Sequence, residues 1–369
     1  MEVRHIFVGI DLGDKNSVAR LAVDREKSER FGFVNNRQGR ARLFGEAKRR
    51  AAEAGGAEIV MAYEASACGF VLSDEAEGQQ IRCWVLAPTK MEKSVEQRKQ
   101  KNDDRDADDV VEKLRGHVLA GNRLPVVWAP DRQRRDDREL IRTRLELSEK
   151  QTKLKSQIQM VLKRHGLEKP SGLGSGWTIP YRAWLEGLSE CAALGWGTRQ
   201  ALSSLLRQLK FIEGEIDGLE KLVEQLAREA RHKPFVDELT QERGVGTLTA
   251  LVYRTEIGHA GRFRRGRQVG KFVGLTPTSH ESGQQNDRKG HISRQGPPRL
   301  RKMLCQASWS HIGHDPEARK RYQQLVERNP KKKKIAVVAV MRHLAVKLWH
   351  RMRKVELELA GAERTQLSH

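Results

Sequence analysis

Residues 6–14 read IFVGIDLGD. An apolar run that closes on Asp11 and a glycine-bearing polar turn has the pattern of a strand with a carboxylate at its end. The runs 17–23 and 30–35 follow after short polar breaks, as in an antiparallel meander. Residues 40–54 carry Ala41, Leu43, Phe44, Ala47 and Ala51 at roughly helical spacing, which predicts a helix. Residues 58–64, EIVMAYE, read as a fourth strand that again ends in a carboxylate, Glu64, and residues 80–86, QIRCWVL, as a fifth.

The next predicted helix opens at residues 101–109, KNDDRDADD, and runs to about Ala120. Five aspartates in nine residues repel one another. Helical spacing puts Asp103 with Asp106, or Asp104 with Asp108, on one face, and geometry alone leaves both pairs open. The macrodipole by itself also favours acids at a helix start.

Three meandering strands, then helix, strand, helix, strand and helix, is the order of the RNase H and RuvC type of α/β fold. In such a mixed sheet Asp11, Glu64 and the aspartate cluster converge where strand ends meet a helix. Carboxylates gathered there repel unless a cation sits between them. Oxygen ligands without His or Cys suit octahedral Mg²⁺, with Mn²⁺ as substitute. Two such ions clamp the attacking and leaving oxygens of phosphoryl transfer.

The chain has 369 residues, enough for two or three domains. Its net charge of +21 and pI near 10.0 predict a polyanionic partner, nucleic acid first. No run approaches the roughly 18 apolar residues of a membrane span, and MEVRHIFVGID is a strand pattern rather than a signal peptide, so a soluble, cytoplasmic protein is expected. Cys68, Cys83, Cys191 and Cys305 lie far apart, which excludes a CxxC zinc clamp and fits buried thiols in a reducing compartment.

The expected division is an RNase H-like domain at 1–129, a coiled-coil helical domain at 130–233 and a helical domain at 234–369. In the middle region Leu140, Leu147, Leu154 and Val161 recur every seven residues. A second long helix after Gly197 carries Leu202, Leu205, Leu209, Ile212 and onward to Leu226 in steps of three and four. The two either fold back on each other or pair between protomers. Gly214 and Gly218 each cost about 1 kcal/mol relative to Ala, so a close-packed neighbour is expected against them. Between the helices, Trp177, Trp184 and Trp196 are expected to form a small satellite core.

Farther on, Gly244-Val245-Gly246 has the form of a helix-hairpin-helix turn, whose amides bind phosphate. Residues 261–271, GRFRRGRQVGK, gather Arg262, Arg264, Arg265, Arg267 and Lys271 into an expected phosphate-binding patch. Residues 274–296, GLTPTSHESGQQNDRKGHISRQG, read as an exposed polar loop. A hydroxyl there, among Arg288, Lys289, His291 and Arg294, has the surroundings a phosphodiester nucleophile needs. Thr276, Thr278, Ser279, Ser282 and Ser293 are the candidates, and spacing does not choose among them. Two amphipathic helices at 298–313 and 335–354 flank a basic run in which Lys331 and Lys332 are expected phosphate contacts; Met341, Leu344, Ala345 and Leu348 form the apolar face of the second. Tyr253, in an apolar helical run, reads as a core residue.

GIDLGDKN, the YEAS strand end, KNDDRDAD, RGVGTLTA, RFRRGRQVGKFVGLTP, the HESG loop and KGHISRQGPPRLRKML stand in this order. Together they resemble the DEDD transposases of insertion-sequence family one-ten, the bridge-RNA-guided recombinases, over most of the chain. KNDDRDAD looks like that family's K-T-D-x-x-D-A motif, with Asn102 where threonine is usual. The resemblance implies a metal-binding carboxylate set of Asp11, Glu64, Asp103 and Asp106, and a catalytic Ser282. The family pattern has two adjacent serines before the loop glycine; this chain has Glu281-Ser282, which removes one rival nucleophile and adds a negative charge. The resemblance further implies a composite active site from the RuvC-like and serine domains of different protomers, in a homodimer or homotetramer. A covalent phosphoserine link to double-stranded DNA, and a structured noncoding guide RNA that selects donor and target by base pairing, belong to the same implication. Two other readings stand beside it: a metal-only nuclease or junction resolvase that uses water, and a non-catalytic nucleic-acid-binding protein whose acids are helix caps.

Overall fold

The computed structural model describes residues 4–91, 103–174, 176–279, 289–328 and 330–366. The chain divides into two units, Met1–Pro130 and Asp131–His369.

In the first unit β1 (His5–Asp11), β2 (Asn16–Val23) and β3 (Glu29–Val34) form an antiparallel meander. There follow α1 (Arg37–Glu53), β4 (Glu58–Glu64), α2 (Val71–Glu77), β5 (Arg82–Leu86) and α3 (Asp103–Ala120). The five strands lie in the order β3-β2-β1-β4-β5, with β4 parallel to β1 and β5 parallel to β4. Alternation of side chains along the strands sorts them into two cores. Ile6, Val8 and Ile10 of β1, with Met61 and Tyr63 of β4, pack with Leu43, Phe44 and Leu72 of α1 and α2. Phe7, Val60 and Ala62, on the opposite face, pack against Val110, Val111 and Leu114 of α3.

Gly9 sets how closely α3 approaches. It shares the face of Phe7, and a Cβ added to it would meet the Ala107 carbonyl oxygen at 2.3 Å and the Val111 nitrogen at 2.7 Å. Both neighbours are helix backbone, so no side-chain rotation relieves the clash. Gly9→Ala is expected to cost about 1–3 kcal/mol by forcing the helix off the sheet. Thermal unfolding measures that loss; an unchanged melting temperature contradicts the packing described.

The second unit comprises α4 (Arg132–Arg164), α5 (Ile179–Glu190), α6 (Trp196–Arg228), α7 (Lys233–Leu239), α8 (Thr247–Ile257), α9 (Gly266–Val273), the hairpin β6 (Pro277–Ser279) and β7 (Lys289–Ile292), α10 (Pro298–His314), α11 (Pro316–Arg328) and α12 (Lys333–Gln366). Helices α4 and α6 pair with each other, antiparallel, within the chain. Arg144 meets Glu220, Gln151 donates to Glu213 at 3.0 Å, and His165 at the end of α4 lies 3.3 Å from the Thr198 hydroxyl at the start of α6.

The buried seam departs from the expected heptad. Ile141 and Leu145, with Val223 and Leu226, bury at the base of the pair, whereas Leu140 and Leu147 are only half-buried. The base also packs on the C-terminal helices, whose core it joins through Tyr253, Leu304, Leu344 and Leu348, and this second neighbour turns the buried face. Asp137 locks the same region: it is 4% exposed, receives Arg231 at 2.8 Å and lies 2.9 Å from His232 Nε2. Burial holds the His232 imidazole below its ordinary pKa despite that carboxylate.

Three expectations need correction. Nothing lies within 4 Å of a Cβ built on Gly214 or Gly218, because both face outward from the seam marked by Leu209 and Ile216. The interval after α4 contains a helix, α5, whose Tyr181 and Leu185 cap the tip of the pair with Trp177 and Trp184 packed alongside, while Trp196 is 73% exposed at the start of α6. The C-terminal region has three helices rather than two, since α11 separates α10 from α12. Tyr253 is a core residue whose hydroxyl donates to the Ala345 carbonyl, and Met341, Leu344, Ala345 and Leu348 are all buried. The four cysteines are free and half-buried. Among the described residues no helix is long and apolar enough to cross a membrane.

Candidate active site and nucleic-acid interface

In the first unit the sheet brings two carboxylates to one edge. Ile10 of β1 pairs with Tyr63 of the parallel strand β4, so Asp11 and Glu64 end neighbouring strands that run the same way. Asp11 shares the face of Phe7 and Gly9, and Glu64 that of Val60 and Ala62, so both belong to the α3 side of the sheet. Both are half-buried.

Helix α3 carries its acids to the same end. Ala107 and Val111 lie over Gly9, and Asp103 opens the helix one turn before Ala107. Asp106, half-buried, precedes the buried Val110 by four residues and therefore shares its sheet-facing side. The side chain of Asp103 lies outside the described residues.

The rival pair has other partners. Asp104 takes Arg30 at 2.9 Å and Arg20 at 3.8 Å; Asp108 takes Arg20 at 3.1 Å and the Ser28 hydroxyl. Arg20 sits beside Gly9 in the β1–β2 register and Arg30 beside Arg20 in the β2–β3 register. These two partly exposed aspartates therefore tie the helix to the meander. The sequence reading missed this, and two arginines at facing strand positions were the only signal for it.

The donor chemistry of Asp11, Glu64, Asp103 and Asp106 fits a hard divalent cation, being carboxylate alone from two parallel strand ends and the first turns of one helix. Among the described residues, no three acidic, His or Cys side chains gather closely enough to hold an ion.

In the second unit, residues 274–296 are not a free loop throughout. β6 and β7 pair antiparallel, Ser293 N donates to the Thr276 carbonyl at 2.8 Å, and the Thr278 hydroxyl donates to the His291 carbonyl at 3.1 Å. Gly274 and Gly296 hold left-handed backbone, φ 77° and 94°, where entry and exit of this segment cross: a Cβ on Gly274 would meet the Gln295 oxygen at 2.2 Å, and one on Gly296 the Phe272 oxygen at 1.8 Å. Ser282, Glu281, Gly283 and Arg288 lie on the connection 280–288, outside the described residues.

The expected phosphate contacts divide. Arg264, Arg265, Arg267 and Lys271 on and before α9, Arg294 after β7, and Lys331 and Lys332 before α12 are exposed. Lys289 opens β7, and its side chain is not described. Arg262 differs: its guanidinium stacks on Phe263 at 4.5 Å and Phe272 at 4.4 Å, and burial, then repulsion from Arg138 and Arg134, push its pKa down to about 10. It is a packing residue.

The Gly244-Val245-Gly246 turn also reads differently in place. It docks on α10, where His311 Nδ1 lies 2.8 Å from the Arg243 carbonyl. The open side beyond it, at Gly246 and Thr247, faces a cavity lined by Asp217, Glu220 and Glu224 against Arg144 and Lys221. Acids outnumber cations there, so this turn is not assigned a phosphate.

A mixed 3-2-1-4-5 sheet with acids at two parallel strand ends and on the helix that crosses them defines a DEDD-type domain, here followed by a basic helical unit. Comparison with known proteins agrees. A family model described as Transposase, that of the IS110 DEDD domain, matches residues 8–166, and one described as Transposase IS116/IS110/IS902 family matches residues 236–323. The chain belongs with the IS110-family transposases. Among its relatives, "Putative transposase y4qE" of Sinorhizobium fredii is 26% identical over 84% of this chain and 73% of its own length. "Putative transposase y4rJ" of the same organism is 26% identical over 83% and 80%. The transposase for insertion sequence element IS1111A of Coxiella burnetii is 26% identical over 64% and 61%. A DEDD transposase domain implies use of divalent metal in general, and a transposase acts on DNA.

Proposed function

We propose that the chain is an RNA-guided recombinase that cuts and rejoins DNA through a covalent phosphoserine link, with Ser282 as nucleophile and Asp11, Glu64, Asp103 and Asp106 as ligands of Mg²⁺. The observation that carries the reading is the convergence of Asp11, Glu64 and the start of α3 at one sheet edge, while Asp104 and Asp108 are engaged by Arg20 and Arg30. Bound there, Mg²⁺ supplies positive charge where the phosphate oxygens gather negative charge.

The protein's own groups do the rest. Ser282 Oγ forms a bond to phosphorus, and one P–O bond of the DNA strand breaks. The departing oxygen takes a proton and becomes a free hydroxyl, while the seryl proton passes to solvent. The new phosphoserine ester keeps the energy of the broken bond for rejoining. Arg264, Arg265, Arg267, Lys271, Arg294, Lys331 and Lys332 hold the DNA backbone without reading sequence. Choice of donor and target falls to a structured noncoding RNA through base pairing, and the composite site is completed between protomers of a dimer or tetramer.

A strand-exchange assay with the full chain, donor and target DNA and the noncoding RNA encoded beside the gene tests this reading. Exchange at sites complementary to the RNA is expected, with loss to background when RNA is omitted or divalent ions are chelated. Site-specific exchange without RNA contradicts the guidance, and undiminished exchange after chelation contradicts the metal site.

A further inference from the structure

Beside the β6–β7 hairpin the second unit has a groove of 870 Å³, lined also by α11 and α12. Its charge is one-sided. Arg294, Arg321, Lys332, Lys334 and Arg342 line it together with His291 and His343, and among the described residues no carboxylate does. That lining favours a polyanion. The floor is of another kind: Leu275, Ile292, Val338 and Val346 are apolar, and Ala339 leaves room above α12.

Intact duplex DNA fits half of this. Its phosphates suit the cationic rim, but its bases are stacked away inside the helix and leave an apolar floor facing water. An unpaired nucleotide satisfies both parts. Its base lies on the apolar floor beside two imidazoles, which offer ring faces for stacking, while the phosphates on either side reach the rim. Among the described residues the lining shows no Ser, Thr, Asn, Gln, Asp or Glu side chain, so what it offers a nucleotide is apolar and cationic.

We infer that this groove holds an unpaired nucleotide of the DNA strand being processed, its base on Leu275, Ile292, Val338 and Val346 and its flanking phosphates on Arg294, Lys332, Lys334 and Arg342. The inference rests on the DNA-processing reading above. It adds a substrate feature: a strand opened or unstacked at the segment that the hairpin carries. Position supports this, because β6 and β7 form one wall of the groove and also bracket the connection that contains Ser282 in sequence.

Fluorescence anisotropy with the full chain separates the possibilities. The probes are a labelled duplex, the same duplex with an unpaired dinucleotide, and an all-RNA version of the latter. The unpaired DNA is expected to bind about tenfold tighter than the intact duplex. Ala339→Phe, which fills the floor, is expected to abolish that preference and leave intact-duplex affinity within about twofold. Lys334→Glu, at an exposed position, is expected to weaken binding of the unpaired DNA more than that of the duplex and serves as the second variant if Ala339→Phe misfolds. Equal affinity for paired and unpaired DNA overturns the inference while leaving DNA processing intact, as does a preference that survives in both variants. Tighter binding of the RNA version overturns the assignment to DNA. Failure to bind any of the DNAs removes the DNA-processing reading and this inference with it.

Discussion

Ser282→Ala is expected to abolish the covalent protein–DNA adduct and to lower strand exchange by at least about 10³-fold, while duplex affinity stays within about twofold. In the proposed mechanism alanine removes the atom that bonds to phosphorus, and it leaves the basic surface of Arg264, Arg265, Arg267 and Lys271 intact. A site in which water attacks has no use for that hydroxyl beyond a DNA contact, so it keeps most of its activity in this variant. The two mechanisms therefore part by orders of magnitude. Normal exchange by the alanine protein sinks the serine mechanism and promotes the metal-only nuclease.

The second large effect distinguishes the two carboxylate pairs of α3. Asp11→Asn, Glu64→Gln, Asp103→Asn and Asp106→Asn each keep side-chain shape and remove a negative charge. If these four hold the cation, each variant is expected to lose about 10²–10⁴-fold in DNA cleavage, because charge stabilisation in the transition state disappears with the ion. Asp104→Asn and Asp108→Asn act elsewhere. They weaken partly exposed ion pairs to Arg20 and Arg30, which are worth about 0–1 kcal/mol apiece. Cleavage within a few-fold of wild type and a slightly lower melting temperature are expected. The reverse result, with Asp104 and Asp108 essential and Asp103 and Asp106 dispensable, refutes the assignment.

Much of the first unit was legible because its signals are local. The continuous apolar runs in IFVGID and EIVMAYE mark strands buried on both faces, and the five strands and the helix that starts at the aspartate cluster stand within a few residues of expectation. The strand-end acids followed from the same pattern. Hidden from it were relations between distant segments. Arg20 and Arg30 precede their partner Asp104 by more than 70 residues, and only the sheet register sets them side by side. Gly9 is one small residue within an apolar run, and nothing local marks it as the place where α3 presses on the sheet.

In the second unit the periodic leucines were read correctly as helix but assigned the wrong face at the base, since the C-terminal core grips α4 from a second direction. Arg262 looked like its basic neighbours in sequence and differs only through Phe263 and Phe272. The short hairpin at 277–292 offered too few residues for a strand pattern, and the cationic groove beside it is assembled from segments some 50 residues apart.

Mass spectrometry of the trapped protein–DNA adduct tests the proposed chemistry most directly. Trypsin cuts after Lys271 and Arg288, so Thr276, Thr278, Ser279 and Ser282 share one peptide and Ser293 falls in another. Fragmentation is expected to place the nucleotide remnant on Ser282. A remnant on any other residue, or efficient strand exchange with no adduct at all, contradicts a serine nucleophile at that position.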